Sequence, residues 1–191
     1  MKRLFLALPL PPEEIRRLDA FLTPYRSDPH FKDAKWVELQ NFHVTTLFLG
    51  NVQDMMISEM RQILRGFFAQ IHPFDLQFEG VFLFPGKFPK MIWARFHKSF
   101  PFTELHAELR KYLSPYTEST EDKKEQLPHL TLARLKNPVD SARFAFKSFK
   151  MPPLEMKECH LYESELTALT EGELQKISPV YTLIENFSFA V

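Results

Sequence analysis

The 191-residue chain is 45% hydrophobic and carries 24 basic and 24 acidic side chains, for a formal net charge of +0. This composition excludes a disordered chain, and no apolar run approaches the roughly 18 residues of a membrane helix, so we expect a soluble, cytoplasmic protein. Charge neutrality excludes the global basicity of proteins that hold long duplexes by phosphate contacts. The single cysteine, Cys159, excludes an internal disulfide and a zinc ribbon, and we expect it to be a buried, inert thiol.

The start of the chain alternates strand and helix signals. An apolar run over residues 3–8 predicts a buried strand, and the Pro-Pro-Glu-Glu sequence at residues 11–14 starts a helix with acids in its first turn. We predict a loop over residues 24–35 and a short extended segment over residues 36–39. Apolar side chains at helical spacing mark one face of the helix: Ile15, Leu18, Phe21 and Leu22.

The middle of the chain continues this pattern. A strand is predicted over residues 42–49, ended by Gly50, and Asp54 is expected to cap the helix that follows. Residues 74–84 alternate apolar and polar side chains, which is typical of one half-buried strand, and a turn over residues 85–89 leads into a hairpin partner over residues 90–96. The apolar stripe of the helix consists of Met56, Met60, Ile63, Leu64 and Phe67.

The last part of the chain adds a helix over residues 101–113 and a polar loop over residues 114–126. After a strand that begins near His129, the pattern predicts a short helix over residues 140–149 and a long strand over residues 154–166. A polar loop over residues 167–178 and a closing strand over residues 180–189 complete the chain. The mixture predicts an α+β fold, in which helix, strand and helix recur once.

Two strands carry related tetrads, His43-Val44-Thr45-Thr46 and His129-Leu130-Thr131-Leu132, the second beginning 86 residues after the first. Because side chains in a strand alternate between faces, each histidine shares a face with the threonine two residues later. Two such pairs facing each other across a groove supply an acid, a base and two neutral donors. That set suits metal-free displacement at phosphorus.

A simpler interpretation remains open for each motif, because a histidine beside a strand threonine is often a hydrogen-bonded core residue. The other histidines have no threonine two residues later, and we assign them no chemistry: His30, His72, His97, His106 and His160. No histidine pair has the spacing of a metal-binding helix, so neither a metal nor a cofactor is expected.

With these motifs in their strands, the chain resembles the two-histidine phosphoesterase superfamily, and most closely its RNA 2′,3′-cyclic phosphodiesterase branch, also described as 2′-5′ RNA ligases. Two departures stand out. Leu47 stands where relatives often carry a basic residue, which we expect to weaken contact with the substrate backbone, and Thr46 replaces a usual aliphatic residue, which we expect to alter only packing. The matching segments are residues 2–7, 36–37, 41–50, 84–85, 92–94, 128–134 and 163–166, followed by Tyr181.

The resemblance implies a single bilobal domain over residues 1–191, in which two mostly antiparallel sheets line a central cleft and helices pack outside. It also implies that His43 donates a proton and His129 accepts one, and that Thr45 and Thr131 bind the phosphate. Arg134 matches an arginine of the family that binds phosphate. Strict alternation puts its side chain opposite His129, so a bulge or a strand end is needed for that role.

The expected reaction is metal-independent hydrolysis of 2′,3′-cyclic phosphate ends of RNA or nucleotides to a 2′-phosphomonoester, together with the reverse 2′-5′ ligation. Substrates implied by the resemblance are RNA or oligonucleotide ends, tRNA halves and small cyclic nucleotides, and we expect a monomer that binds no membrane. The alternative is a non-catalytic module that binds a nucleotide or an RNA end in the same cleft.

Overall fold

The computed structural model describes residues 1–117, 127–137, 139, 144–166 and 179–190. Three α-helices lie in this part of the chain: α1 (Pro12–Arg26), α2 (Asp54–Phe68) and α3 (Phe100–Tyr112). The strands in chain order are β1 (Lys2–Pro9), β2 (Lys35–Trp36), β3 (His43–Val52), β4 (Phe74–Leu76), β5 (Phe78–Phe84), β6 (Met91–Phe96), β7 (His129–Arg134), β8 (Leu154–Met156), β9 (Glu158–Leu166) and β10 (Pro179–Ser188).

The strands form two four-stranded antiparallel sheets and one two-stranded sheet. Sheet 1 has the order β10-β9-β1-β3, sheet 2 has the order β2-β7-β6-β5, and β4 pairs with β8. The predicted α+β class with antiparallel sheets is therefore confirmed. Strand β3, which carries the first tetrad, lies at the edge of sheet 1, and β7, which carries the second, lies between β2 and β6.

One hydrophobic cluster joins the sheets to the helices. In β1, every second residue from Leu4 to Leu8 is buried in it, and the helices add apolar residues at helical spacing, such as Met60 and Leu64 of α2. Cys159 is fully buried there, as expected, and burial raises the pKa of its thiol to about 12. Within the described residues, no helix is long and apolar enough to cross a membrane.

Helix α1 continues into the segment from residue 24 that is predicted as a loop. Pro24 lies in the last turn, where it costs the helix the one hydrogen bond of its missing N–H, and the helix runs on to Arg26. Tyr25, which is buried, helps to hold this turn, because its hydroxyl accepts a hydrogen bond from the Lys147 backbone at 2.9 Å. The prediction of a loop from residue 24 was therefore wrong by three residues.

Other element ends also differ from the predictions. The N-cap of α2 is Gln53, and Asp54 is the first helical residue, its carboxylate 3.2 Å from the N-terminal amine. Strand β3 continues beyond Gly50, whose φ of +73° accommodates a bulge. The extended segment predicted for residues 36–39 is only the short strand β2, followed by a 3₁₀ turn at Leu39–Asn41.

Two predicted strands are each divided between two sheets. The predicted strand 74–84 breaks at Gln77, whose carbonyl accepts from the His97 backbone at 2.8 Å, so β4 and β5 join different sheets. The predicted strand 154–166 breaks at Lys157, whose carbonyl accepts from the Phe189 backbone at 2.8 Å. An alternating pattern does not reveal such a change of partner strand, because both pieces keep one face buried.

The helix predicted over residues 140–149 is wrong for its described part, since residues 144–150 form no helix. Phe144 and Phe146 both pack on Tyr25, and Phe149 packs on Phe21 of the same helix, so aromatic contacts hold this segment against α1. Of the loop predicted over residues 114–126, residues 114–116 form a 3₁₀ turn. Residues 118–126, 140–143 and the predicted loop 167–178 lie outside the described residues.

Candidate active site

The two motif strands face one cavity of about 150 Å³ between sheet 1 and sheet 2. Strand β3 supplies His43 and Thr45 to its wall, and β7 supplies His129, Thr131 and Arg134. The structure thus brings all five sequence-predicted site residues together. Their neighbours Val44, Thr46, Leu130 and Leu132 are fully buried on the other face of the strands, as the alternation predicts.

A bulge in each motif strand follows the threonine. In β3, Leu47 pairs with Leu6 and Thr45 with Ala7, so Thr46 is an extra residue without a partner in β1. In β7, Thr131 pairs with Trp93 and Ala133 pairs with Ile92 of β6. Leu132 is therefore an extra residue without a partner in β6. A bulge shifts the side-chain alternation by one residue. The third residue after each threonine is therefore turned into the cavity.

These two residues are Phe48 and Arg134, and both line the cavity. The bulge at Leu132 is the irregularity that Arg134 needs in order to reach the same cavity as His129. In the described residues no carboxylate pairs with Arg134, so its guanidinium is available to an anion. Leu47 is buried in the core at 7% exposure and does not line the cavity, so the expectation that a leucine here weakens contact with the substrate backbone stays a prediction.

Each bulge has a hydrogen bond that satisfies the carbonyl of its extra residue. His106 of α3 donates from Nδ1 to the Thr46 carbonyl at 2.6 Å. The backbone of Val37, just after β2, donates to the Leu132 carbonyl at 2.9 Å. Because a buried carbonyl without a donor is costly, these two contacts stabilise the bulges that shape the cavity.

His43 has a fixed tautomer. Its Nδ1 lies 2.7 Å from the Asn41 carbonyl, which only accepts, so Nδ1 carries the proton and donates it. Its Nε2 lies 3.1 Å from Thr45 Oγ1, on the cavity side. Phe5 packs against the imidazole at 4.9 Å between ring centroids, and the Tyr181 ring meets it edge-on at 5.4 Å.

His129 has the same arrangement in sheet 2. Its Nδ1 donates to the Leu127 carbonyl at 2.9 Å, so Nε2 is the unprotonated nitrogen of the neutral ring. The Trp93 indole stacks on the imidazole at 3.7 Å between centroids, and Phe84 stacks on the other face of Trp93 at 3.6 Å. Both histidines thus bond a backbone carbonyl through Nδ1, with an aromatic residue of the neighbouring strand behind the ring.

Burial dominates the titration of both imidazoles. Burial is the main reason that the pKa of His43 is lowered to about 4; the Asn41 carbonyl acts in the opposite direction, and the charge of nearby His129 adds to the decrease. Burial also lowers the pKa of His129, with the Leu127 carbonyl opposing it. Both rings are therefore mainly neutral at neutral pH until an anion binds nearby.

Several cavity residues were missed by sequence reasoning. Lys35 adds a second cation beside Arg134, Asn41 orients His43, and the rings of Phe48 and Tyr181 form apolar walls. Phe48 is 57% exposed although it follows a run of buried residues in a strand, and that exposure is visible only once the bulge is known. No three potential metal ligands cluster together among the residues that the structure describes.

Comparison with known proteins assigns the chain to a family. The model of the 2′-5′ RNA ligase superfamily matches residues 11–165. The chain belongs to this superfamily. Two proteins of similar sequence are both named RNA 2′,3′-cyclic phosphodiesterase. The one from Aquifex aeolicus is 26% identical over 81% of this chain and 81% of its own length, and the one from Thermotoga maritima is 31% identical over 82% and 80%.

Solved structures of known proteins share the fold of this chain. A crystal structure from Thermus thermophilus matches with a TM-score of 0.72 and 26% identity, over 98% of this chain and 97% of its own. Escherichia coli LigT in complex with 3′-AMP matches with a TM-score of 0.67 and 20% identity, over 100% and 99% of the two chains. The superfamily fold expected from the motifs is therefore confirmed.

Proposed function

We propose that this protein hydrolyses 2′,3′-cyclic phosphates at the ends of RNA or oligonucleotides and yields a 2′-phosphomonoester. One observation carries the proposal: two imidazoles with fixed tautomers enter a single cavity from two different sheets, and Thr45 and Thr131 line the same cavity. The relatives from Aquifex aeolicus and Thermotoga maritima bear the name of this activity. We assign the activity to the cytoplasm and to a monomer.

In the proposed reaction, His129 Nε2 takes a proton from water as the water oxygen attacks phosphorus. The bond between phosphorus and the ribose 3′ oxygen breaks on the opposite side, and protonated His43 gives its Nε2 proton to that oxygen. The products are a 2′-phosphomonoester and a free 3′ hydroxyl. His129 has taken up one proton and His43 has released one. A proton must therefore pass from His129 to His43 through solvent before the next turnover.

The remaining side chains of the site suit the charge that develops on the phosphate. The hydroxyls of Thr45 and Thr131 donate to the non-bridging oxygens, and Arg134 binds the same group through its guanidinium fork. A bound phosphodiester also favours the imidazolium form of His43, whose pKa is otherwise depressed. Substrate binding is thus coupled to protonation of the acid.

The apolar part of the cavity fits a nucleoside. The exposed Phe48 ring and the Tyr181 ring offer surfaces on which a base can stack. Lys35 offers a cation for the phosphates of the RNA that precede the terminal nucleotide. Ligation through a 2′-5′ bond is the reverse of the same displacement, with a ribose hydroxyl in place of water, and the two histidines exchange roles in it. RNA ends, tRNA halves and small cyclic nucleotides all present the reacting group.

The test is hydrolysis of an oligonucleotide that ends in a 2′,3′-cyclic phosphate, with EDTA present. We expect turnover by the wild type and a loss of kcat/KM of about 10³-fold in His43→Ala and in His129→Ala. His97→Ala, which changes an exposed histidine outside the cavity, serves as the matched control and retains wild-type activity. Turnover that survives both cavity variants contradicts the proposal, and binding without turnover by the wild type indicates the non-catalytic module instead.

A further inference from the structure

The two cavity histidines differ in the aromatic residues behind them. His129, Trp93 and Phe84 come from the adjacent strands β7, β6 and β5 and form one continuous stack, with interplanar angles of 20° and 13°. On the opposite side, His43 meets Phe5 at an angle of 35° and a centroid distance of 4.9 Å. Only His129 has an aromatic ring lying face to face against it within the described residues.

This stack is tighter than most aromatic pairs. Its centroid distances of 3.7 Å and 3.6 Å are shorter than the range of about 4.5–7 Å that aromatic pairs usually adopt. The buried Nε1 of Trp93 has no hydrogen-bond partner in the described residues. The orientation of the indole is therefore set by its two ring contacts and not by its donor group.

The other surroundings of His129 favour a positive charge on it only weakly, because burial outweighs the effect of the Leu127 carbonyl. Its Nδ1 donates to the Leu127 carbonyl, whereas a carboxylate in this position would stabilise an imidazolium directly. Arg95 lies opposite His129 in the sheet, but its charge is paired with Glu79. The charged and titratable groups that line the cavity with His129 are Lys35, Glu38, His43, Arg134 and Tyr181, of which Glu38 is the one carboxylate among the described residues.

We propose that Trp93 is the positioning residue of His129: its indole face holds the imidazole against the cavity and stabilises the imidazolium that forms when the ring takes a proton from water. The negative face of an indole attracts a cation lying over it, and tryptophan is the strongest of the aromatic residues in this respect. Phe84 supports the indole from behind. The inference rests on the proposed function, in which His129 is the base.

The experiment combines NMR titration of the histidine ring protons with steady-state kinetics. In the wild type, we expect the Hε1 and Hδ2 resonances of His129 to lie upfield of those of the other histidines, since these protons lie over an indole face. Loss of the resonances in His129→Asn assigns them. In Trp93→Leu, we expect the upfield shift to disappear and the pKa of His129 to fall by about half to one unit.

The kinetic arm separates positioning from substrate binding. We expect Trp93→Leu to lower kcat about tenfold, with KM within twofold of wild type and a displaced pH profile, and Trp93→Phe to recover most of kcat because it keeps an aromatic face. Should Trp93→Leu fail to fold, the wild-type upfield shift and the response of Trp93→Phe still decide the case.

Failure of this inference is distinguishable from failure of the proposed function. Absence of the wild-type upfield shift, or an unchanged pKa of His129 and unchanged kcat in Trp93→Leu, overturns the role of Trp93 while hydrolysis by the wild type persists. If the wild type does not hydrolyse the cyclic phosphate, the proposed function fails, and the catalytic role of Trp93 is overturned with it.

Discussion

At His43, desolvation and hydrogen bonding act in opposite directions. Burial disfavours the charged ring, whereas donation from Nδ1 to the Asn41 carbonyl favours it, and burial is the larger effect, so the pKa falls to about 4. An imidazole with such a pKa is unprotonated at neutral pH. In the proposed reaction, where His43 is the general acid, the phosphate of the substrate supplies the negative charge that returns a proton to it.

The depressed pKa of His43 also predicts how stability depends on pH. An unfolded histidine titrates near 6.5, so the unfolded chain binds more protons than the folded protein between that pH and about 4. The contribution of His43 to stability is fully present above about pH 6.5 and is lost as the pH falls toward 4. By pH 5 the loss amounts to about 2 kcal/mol.

Urea unfolding at pH 7 and pH 5 measures this contribution. We expect the loss of unfolding free energy between the two pH values to be smaller in His43→Gln than in the wild type, by about 2 kcal/mol. His97→Gln, an exposed control, should lose as much as the wild type. Equal losses in wild type and His43→Gln would contradict the account of the buried, neutral imidazole.

Among the secondary-structure elements, the two motif strands share a β-bulge at the same position relative to the motif. In each of them a bulge follows the His-x-Thr motif, and the third residue after the threonine reaches the cavity. In β3 the residue that the bulge turns into the cavity is aromatic, Phe48. In β7 it is a cation, Arg134. The cavity lining therefore includes both an aromatic ring and a cation, which suits the base and the phosphate of the proposed substrate.

The bulge of β3 depends on a side chain from a helix, and this contact can be tested. In His106→Leu, the Thr46 carbonyl loses its donor in a buried position, so we expect the free energy of unfolding to fall by about 1–3 kcal/mol. His106→Gln keeps a donor and should recover part of the loss, whereas His72→Leu changes an exposed histidine and should cost little. Urea denaturation compares the variants, and equal stability of His106→Leu and wild type would refute this role.

Across the whole molecule, the site combines one motif strand from each of the two four-stranded sheets. His43 is backed by Phe5 and Tyr162 from the next two strands of sheet 1, and His129 by Trp93 and Phe84 from the next two strands of sheet 2. The two halves are thus built alike, although few residues match outside the tetrads. This likeness extends the loose repetition seen in the sequence to side-chain packing.

Much of this arrangement could be predicted from periodicity. The alternation at His43 and His129 identified the residues that share a face, and apolar spacing located α2 and α3, because both signals are local. The register shifts at Thr46 and Leu132 could not be predicted in this way, since a bulge depends on partner strands distant in the sequence. For the same reason, the stack of Trp93 on His129 was not foreseen.

The central claim is that two histidines act on opposite sides of one phosphorus atom, and phosphorus NMR of the reaction tests it most directly. With a dinucleotide that ends in a 2′,3′-cyclic phosphate, we predict that the cyclic resonance is replaced by that of a single 2′-phosphomonoester, because the fixed positions of His43 and His129 select one leaving oxygen. A persistent cyclic resonance, or a mixture of 2′ and 3′ products, would contradict the account.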